Sequence, residues 1–175
     1  PEMRPLTEAG EANGFTLSEI MITVVIVGIL SAVALPNYFN QVQRTKQNEA
    51  AATLVQIQNT VAAYVDEFNL IPTGWVDLNN VAAIMTTSGP ANLATFDSIS
   101  LPGGNYTVRG TIGGANEDYF EFTATPVSEN QETLKFNIMT CIDLATGASD
   151  LKQGKKDRAD KGAITKEDLV CRGVS

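Results

Sequence analysis

Gly14-Phe15-Thr16-Leu17-Ser18-Glu19-Ile20 opens a stretch with no formal charge from Ile20 to Gln43, and most of Ile20 to Leu35 is Ile, Val, Leu, Met or Ala. A helix needs about 20 apolar residues (range ~17–25) to span a bilayer, so this run is long enough to cross or nearly cross one. One side chain stands against the pattern. Glu19 lies at the mouth of the run, four residues after Phe15. A carboxylate at membrane depth costs roughly 2.5–3.5 kcal/mol on insertion scales, so such a group is usually kept for a partner. The plain alternative is a signal anchor whose Glu19 rests at the headgroup level.

The helical pattern continues past Pro36. Apolar residues recur at Ala50, Leu54, Ile57, Val61, Val65 and Phe68 in steps of three and four, while Gln56, Asn59, Ala63 and Asp66 fall on the other side. The stretch Gln41 to Glu49 reads as a polar neck. One helix from Phe15 to about Asn69 would be roughly 80 Å long at 1.5 Å per residue. Its first half is hydrophobic all round and needs lipid or other copies of itself. Its second half is amphipathic and needs a globular head. Pro36 lacks an N–H and clashes with the carbonyl of Ala32, at about 3 kcal/mol in a helix interior, and Gly28 adds up to ~1 kcal/mol relative to Ala. Gly28 to Pro36 is therefore the weak section of the helix, either a static kink or a segment that unwinds on packing and under tension.

Composition narrows the function classes. The chain has 175 residues, 43% hydrophobic and 18% charged, with a net charge of −8. That length is one small domain with an appendage. Residues 1–14 carry −2 of the total, leaving −6. Such a balance argues against a nucleic-acid-binding face. The sequence contains no histidine, which removes Ser-His-Asp and Cys-His catalysis and His-metal ligation. Cys141 and Cys171 lack the spacing of a zinc site, and neither Asn116-Glu117-Asp118 nor Glu167-Asp168 has EF-hand spacing. No Gly-rich loop with a Lys-Ser/Thr marks a phosphate cradle. An enzyme, a resident metal and a cofactor are accordingly not expected. Asn105-Tyr106-Thr107 fits the Asn-glycosylation pattern, which three residues match often by chance.

Leu70 to Gly104 reads as a linker, punctuated by Pro72, Gly74, Gly89-Pro90 and Pro102-Gly103-Gly104, with a short helix within Val76 to Met85 and Trp75 as a packing residue. Three runs then alternate with period two: Tyr106–Ile112, Tyr119–Thr125 and Leu134–Cys141. They predict an antiparallel meander with one buried face, which the amphipathic half of the helix covers. Further on, Lys152, Lys155, Lys156, Arg158 and Lys161 against Asp157 and Asp160 make a local +3 patch, read as a solvated loop or as a contact to an acidic neighbour. With no aromatics interleaved, it gives nucleic-acid stacking no support. Thr165 with Asp168 predicts an N-cap and a short helix leading to Cys171.

Gly14-Phe15-Thr16-Leu17-Ser18-Glu19-Ile20 resembles the processing site of type IV pilins and their relatives, and the resemblance is dense from Gly14 to about Arg44. It implies that prepilin peptidase cuts between Gly14 and Phe15 and that the new amine of Phe15 is methylated. Pro36 and Gly28 also match residues usual in the family's helix. Residues 1–14 are then a leader, acidic apart from Arg4 where the family's leaders are basic, so orientation follows from the resemblance and not from charge. With a membrane-targeting N-terminus the cysteines would face an oxidising compartment, which predicts a Cys141–Cys171 disulfide, and pilins commonly carry a C-terminal loop bounded in this way. Closing a loop near 30 residues contributes roughly 3–4 kcal/mol.

The expectation is an α+β fold: a long N-terminal helix, hydrophobic half protruding and amphipathic half packed on three to four antiparallel strands, with a disulfide-bounded C-terminal loop. Its parts are a leader (1–14), a membrane and assembly helix with its neck (15–49) and a head (50–175) holding linker 70–104, sheet 105–141 and loop 141–171. The function implied is a pilus subunit, held in the inner membrane as a single-pass precursor and then polymerised into a surface fibre. Its partners would be other pilin subunits, prepilin peptidase and the assembly machinery. Glu19 of one subunit would neutralise the Phe15 amine of the next. The rivals are a type II secretion pseudopilin and a single-pass anchored surface binding module.

Overall fold

The computed structural model describes residues 14–128, 130–155 and 162–171. The leader before Gly14 lies outside the described residues, as do Lys156, Asp157, Arg158, Asp160 and Lys161 of the basic patch. Helix α1 runs unbroken over Leu17–Phe68, 52 residues with Pro36 inside. The chain divides into two compact units, Pro1–Asn40 and Gln41–Ser175.

In the first unit α1 has no core to join. Ile20, Val24, Val27, Leu30 and Val33 are all exposed. Among the described residues α1 is the one helix long and apolar enough to cross a membrane by length and composition, and no residue of its most apolar window is buried.

In the second unit α1 becomes amphipathic. Ala50, Leu54, Ile57 and Val61 are buried, as the period demands. The stripe then drifts: Tyr64 is buried, Val65 half-buried and Phe68 exposed with its ring 4.8 Å from that of Tyr64. Phe68 therefore caps the end of the buried face and does not belong to it. Asn69 stops the helix in the left-handed region (φ 51°), with its N–H donating to the Val65 carbonyl.

The head sheet has five strands, β3 (Ile99–Ser100), β4 (Tyr106–Gly113), β5 (Tyr119–Pro126), β6 (Ile138–Asp143) and β7 (Ser149–Gln153), each antiparallel to the next. Two of these were not anticipated. β3 comes from the linker, where Ile99 pairs with Val108, and β7 turns back from β6, where Thr140 pairs with Leu151. The linker also holds α2 (Trp75–Leu78) and a small hairpin of β1 (Met85–Thr86) and β2 (Gly89–Pro90). The run from Leu134 is not all strand. Asn130 accepts from the Glu132 N–H at 3.0 Å and caps a helical turn, α3 (Gln131–Leu134), so pairing starts only at Ile138.

The core follows from alternation on β4 and β5. Val108, Phe120, Phe122 and Ala124 are fully buried with Leu54, Ile57 and Val61. Gly110 sits opposite Phe122, and a Cβ there would meet the Phe122 ring at 2.6 Å and Phe96 Cβ at 2.8 Å. The aromatic cluster needs that missing atom. Trp75 packs 5.0 Å from Phe96 and 5.7 Å from Phe122, and its Nε1 donates to the Asp97 carbonyl at 2.7 Å.

The second half of α1 is also tied to the sheet by amides. Gln47, in the stretch expected to be a polar neck, is buried, and its Nε2 donates to the Gly154 carbonyl at 2.7 Å and the Phe136 carbonyl at 3.3 Å. Gln58, three turns on, donates to the Cys141 carbonyl at 2.8 Å. The Cys141–Cys171 disulfide forms, with Cα atoms 6.0 Å apart across 30 residues. It is not the sole tie on the C-terminal segment. The Asn137 side chain brackets Ile164, Nδ2 donating to its carbonyl and Oδ1 accepting from its N–H, both at 2.7 Å. Asp150 accepts from the Val170 N–H at 2.9 Å. The turn expected after Thr165 is a single 3-10 turn, Lys166–Asp168, with Asp168 accepting from the Thr165 N–H at 2.9 Å.

Candidate functional site

The residues that stand out in sequence gather at the start of α1. Gly14 and Phe15 precede the helix and are exposed, Phe15 at 83%. Thr16 takes the N-cap position: its carbonyl accepts the first helical bond, from Ile20 N–H at 3.2 Å. Glu19 is then the third helical residue. Its carboxylate accepts from the Thr16 N–H and from the Thr16 hydroxyl, each at 2.7 Å, while Thr16 Oγ1 accepts from the Glu19 N–H at 3.3 Å. This is a reciprocal capping box, in which two otherwise orphaned N–H groups are satisfied. A carboxylate also suits the positive end of the helix dipole.

The arrangement gives Glu19 a local structural duty that the sequence reading overlooked, although Thr16-x-x-Glu19 carries the pattern for it. It also fixes the carboxylate at the mouth of the apolar run, one turn from Phe15. A chain ending at Phe15 would have its amine at that same mouth. Gly28 and Pro36 lie farther along the exposed part of α1. Nothing approaches within 4 Å of where a Gly28 Cβ would stand, so no contact within the described chain requires glycine there. The cysteine pair belongs to the head and to no chemical site. Among the described residues no group of three or more His, Cys, Asp or Glu side chains converges to hold a metal. The Thr16 hydroxyl and the Glu19 carboxylate are engaged with each other in the helix cap, and the site presents a charge at the end of a long apolar surface.

Residues 12–35 match the family model of the prokaryotic N-terminal methylation motif. Fimbrial protein Q of Moraxella bovis is 31% identical over 114 residues, which is 61% of this chain and 73% of that protein. The type IV major pilin protein PilA of Myxococcus xanthus is 43% identical over 55 residues, 31% of this chain and 25% of that protein. The type II secretion system core protein G of Aeromonas hydrophila is 34% identical over 61 residues, 35% of this chain and 43% of that protein. The chain thus spans less than half the length of the latter two relatives.

Proposed function

The chain belongs to the type IV pilin family, and from that premise we propose that it is a structural, non-catalytic subunit of a type IV pilus. It is made as a precursor held in the inner membrane by Ile20 to Leu35, cut by prepilin peptidase after Gly14, methylated at Phe15, and polymerised through α1 into a surface filament. The observation that carries this is the bare apolar half of α1 with one acid at its tip. Leaving so many large side chains exposed to water is unfavourable by about 25 cal/mol per Å², so they belong in lipid or among copies of themselves.

Glu19 sets the register of that packing. An unpaired carboxylate and an unpaired ammonium are each costly in an apolar bundle, and pairing offsets both. The Phe15 amine of a neighbouring subunit is the partner, so a subunit displaced along the bundle leaves both charges bare. Gly28 and Pro36 supply the section of helix that yields when subunits pack and when the fibre is pulled.

The matched secretion protein sustains a second reading, a type II secretion pseudopilin. The disulfide-bounded C-terminal segment favours the pilus. Sheared surface material from cells with the assembly machinery decides between them by electron microscopy and N-terminal sequencing. The expected result is a long fibre whose subunit starts at methylated Phe15. An uncut monomer that stays in the membrane would refute the proposal.

A further inference from the structure

We propose that a cationic hollow shared by Arg44 and Lys155 binds the phosphate of a phospholipid headgroup while the apolar half of α1 is in the bilayer. The inference rests on the membrane-held subunit of the pilin reading and adds a ligand for the head.

The hollow lies wholly within the second unit. Its volume is about 140 Å³, and it is lined by Arg44, Gln47 and Asn48 of α1 and by Gln153, Gly154 and Lys155 at the end of β7. No acid is among the lining residues; the polar side chains are two cations and three amides. Arg44 and Lys155 are exposed, and among the described residues neither enters an ion pair. Other cations are differently engaged. Lys152 lies 3.6 Å from Asp150 and Lys135 lies 2.7 Å from Glu132, while Lys46 lines a separate hollow with Glu49. In a chain of net charge −8, two unpaired cations lining one hollow make a local site for an anion.

The hollow is preformed. Gln47 is buried and commits its amide to carbonyls that would otherwise repel an anion: Nε2 donates to the Gly154 carbonyl at 2.7 Å and the Phe136 carbonyl at 3.3 Å. The Gly154 N–H donates to the Asn137 carbonyl at 2.8 Å, and a Cβ on Gly154 would collide with the Lys135 carbonyl. The chain leaving β7 is thereby held close to α1, and Lys155 shares the hollow with Arg44.

Position along the chain identifies the ligand. Ile20 to Phe39 is 20 uncharged residues, about 30 Å as helix, which is the thickness of a hydrocarbon core. Tyr38 and Phe39 close that run, both exposed, as aromatic side chains do at a membrane interface. Arg44 is the first charge after Glu19, and it comes five residues beyond Phe39, or about 7.5 Å of helix. Headgroups occupy roughly 5–8 Å on each side of the core, so this charge falls at their depth. A guanidinium there grips phosphate oxygens in pairs, and an ammonium beside it adds a point charge. The contact lasts only while the helix is in lipid. It steadies the head of the waiting subunit and breaks when that subunit leaves for the fibre.

The full chain in nanodiscs tests this, read by the NMR signals of the Gln47 side-chain amide and the Gly154 backbone amide. Titrating phosphatidylglycerol into discs of digalactosyldiacylglycerol, a lipid without phosphate, is expected to shift both signals saturably. Arg44→Gln combined with Lys155→Gln is expected to lower the initial slope of that response about thirtyfold. Lys166→Gln, which removes an exposed cation outside the hollow, is expected to respond as wild type does. An intact Cys141–Cys171 bond and an unchanged Trp75 indole signal check that each variant folds. No shift with phosphatidylglycerol, an equal response in the double variant, or an equal shift from inorganic phosphate in phosphate-free discs overturns the lipid site. Each of these leaves the pilin reading to the fibre assay; a wild-type chain that does not enter the discs overturns both.

Discussion

Glu19 holds two offices that substitution separates. Its carboxylate closes the capping box with Thr16, and its charge is the proposed partner of a neighbour's amine. Gln also serves in a capping box, so Glu19→Gln keeps the helix start and removes the charge. Glu19→Ala removes both, and loss of the box costs about 1 kcal/mol. Helix start, read as amide exchange at Thr16 and Glu19 in detergent, should be near wild type in Gln and faster in Ala. Fibre yield should collapse in both; fibres at wild-type yield from Glu19→Gln would show that the carboxylate is a cap and nothing more. Tyr106 in the head gives a pH signature. Its side chain is buried with the hydroxyl donating to the Phe136 carbonyl at 2.9 Å, and burial pushes its pKa up to about 12. Below about pH 10, the ordinary tyrosine value, both folded and unfolded chains hold the proton and no pH dependence arises. Above it the unfolded chain ionises while the folded one does not, so stability falls as pH rises from about 10 towards 12. Melting curves across that window should show the fall, and Tyr106→Phe should flatten it.

At the scale of elements, α1 is one helix by assignment and two by environment. Its first half was legible because an uncharged run of that length has few other homes. Its second half was legible from the period, apart from the drift at Tyr64 and Phe68. What period could not show was the amide contact between helix and sheet. Gln47 and Gln58 are polar, and polarity in a helix reads as a solvent face unless a row of carbonyls is known to lie opposite. The same limit hid β3 and β7, whose two and five residues carry too little alternation to be told from loop. α3 escaped because Leu134 and Phe136 fit a strand's period, while the Asn130 cap that makes the turn is a single side chain. Pro36 is the element's own test. Pro36→Ala restores a bond to the Ala32 carbonyl and removes a clash, worth about 3 kcal/mol locally. Amide exchange over residues 29–36 in detergent should slow by about a hundredfold. If this section yields under load, fibres of the variant should need more force to extend. An unchanged force–extension curve would identify a static kink.

Across the whole molecule, the C-terminal segment joins the head through the disulfide, the Asn137 bracket and the Asp150–Val170 hydrogen bond, and the consequences of the first two differ. The disulfide acts chiefly on the unfolded chain: by closing a loop of about 30 residues it removes roughly 3–4 kcal/mol of conformational freedom that folding would otherwise have to overcome. The Asn137 bracket acts on the folded state, since both Ile164 backbone groups depend on it and Ile164 is buried. Taking Cys141 and Cys171 both to Ser should therefore lower the denaturant midpoint of the head and leave exchange at Ile164 slow relative to global unfolding. Asn137→Ala strips two buried backbone groups of their partner, at about 1–3 kcal/mol, and should release Ile164 to fast exchange even with the disulfide intact. If the double Ser variant frees Ile164 as fully as Asn137→Ala does, the covalent bond alone positions the segment. Asymmetry between the two variants would mean that the surface a fibre presents through this segment survives reduction. That surface would be a property of the Asn137 side chain just ahead of β6, with the sulfur bridge making unfolding costlier without shaping what is folded.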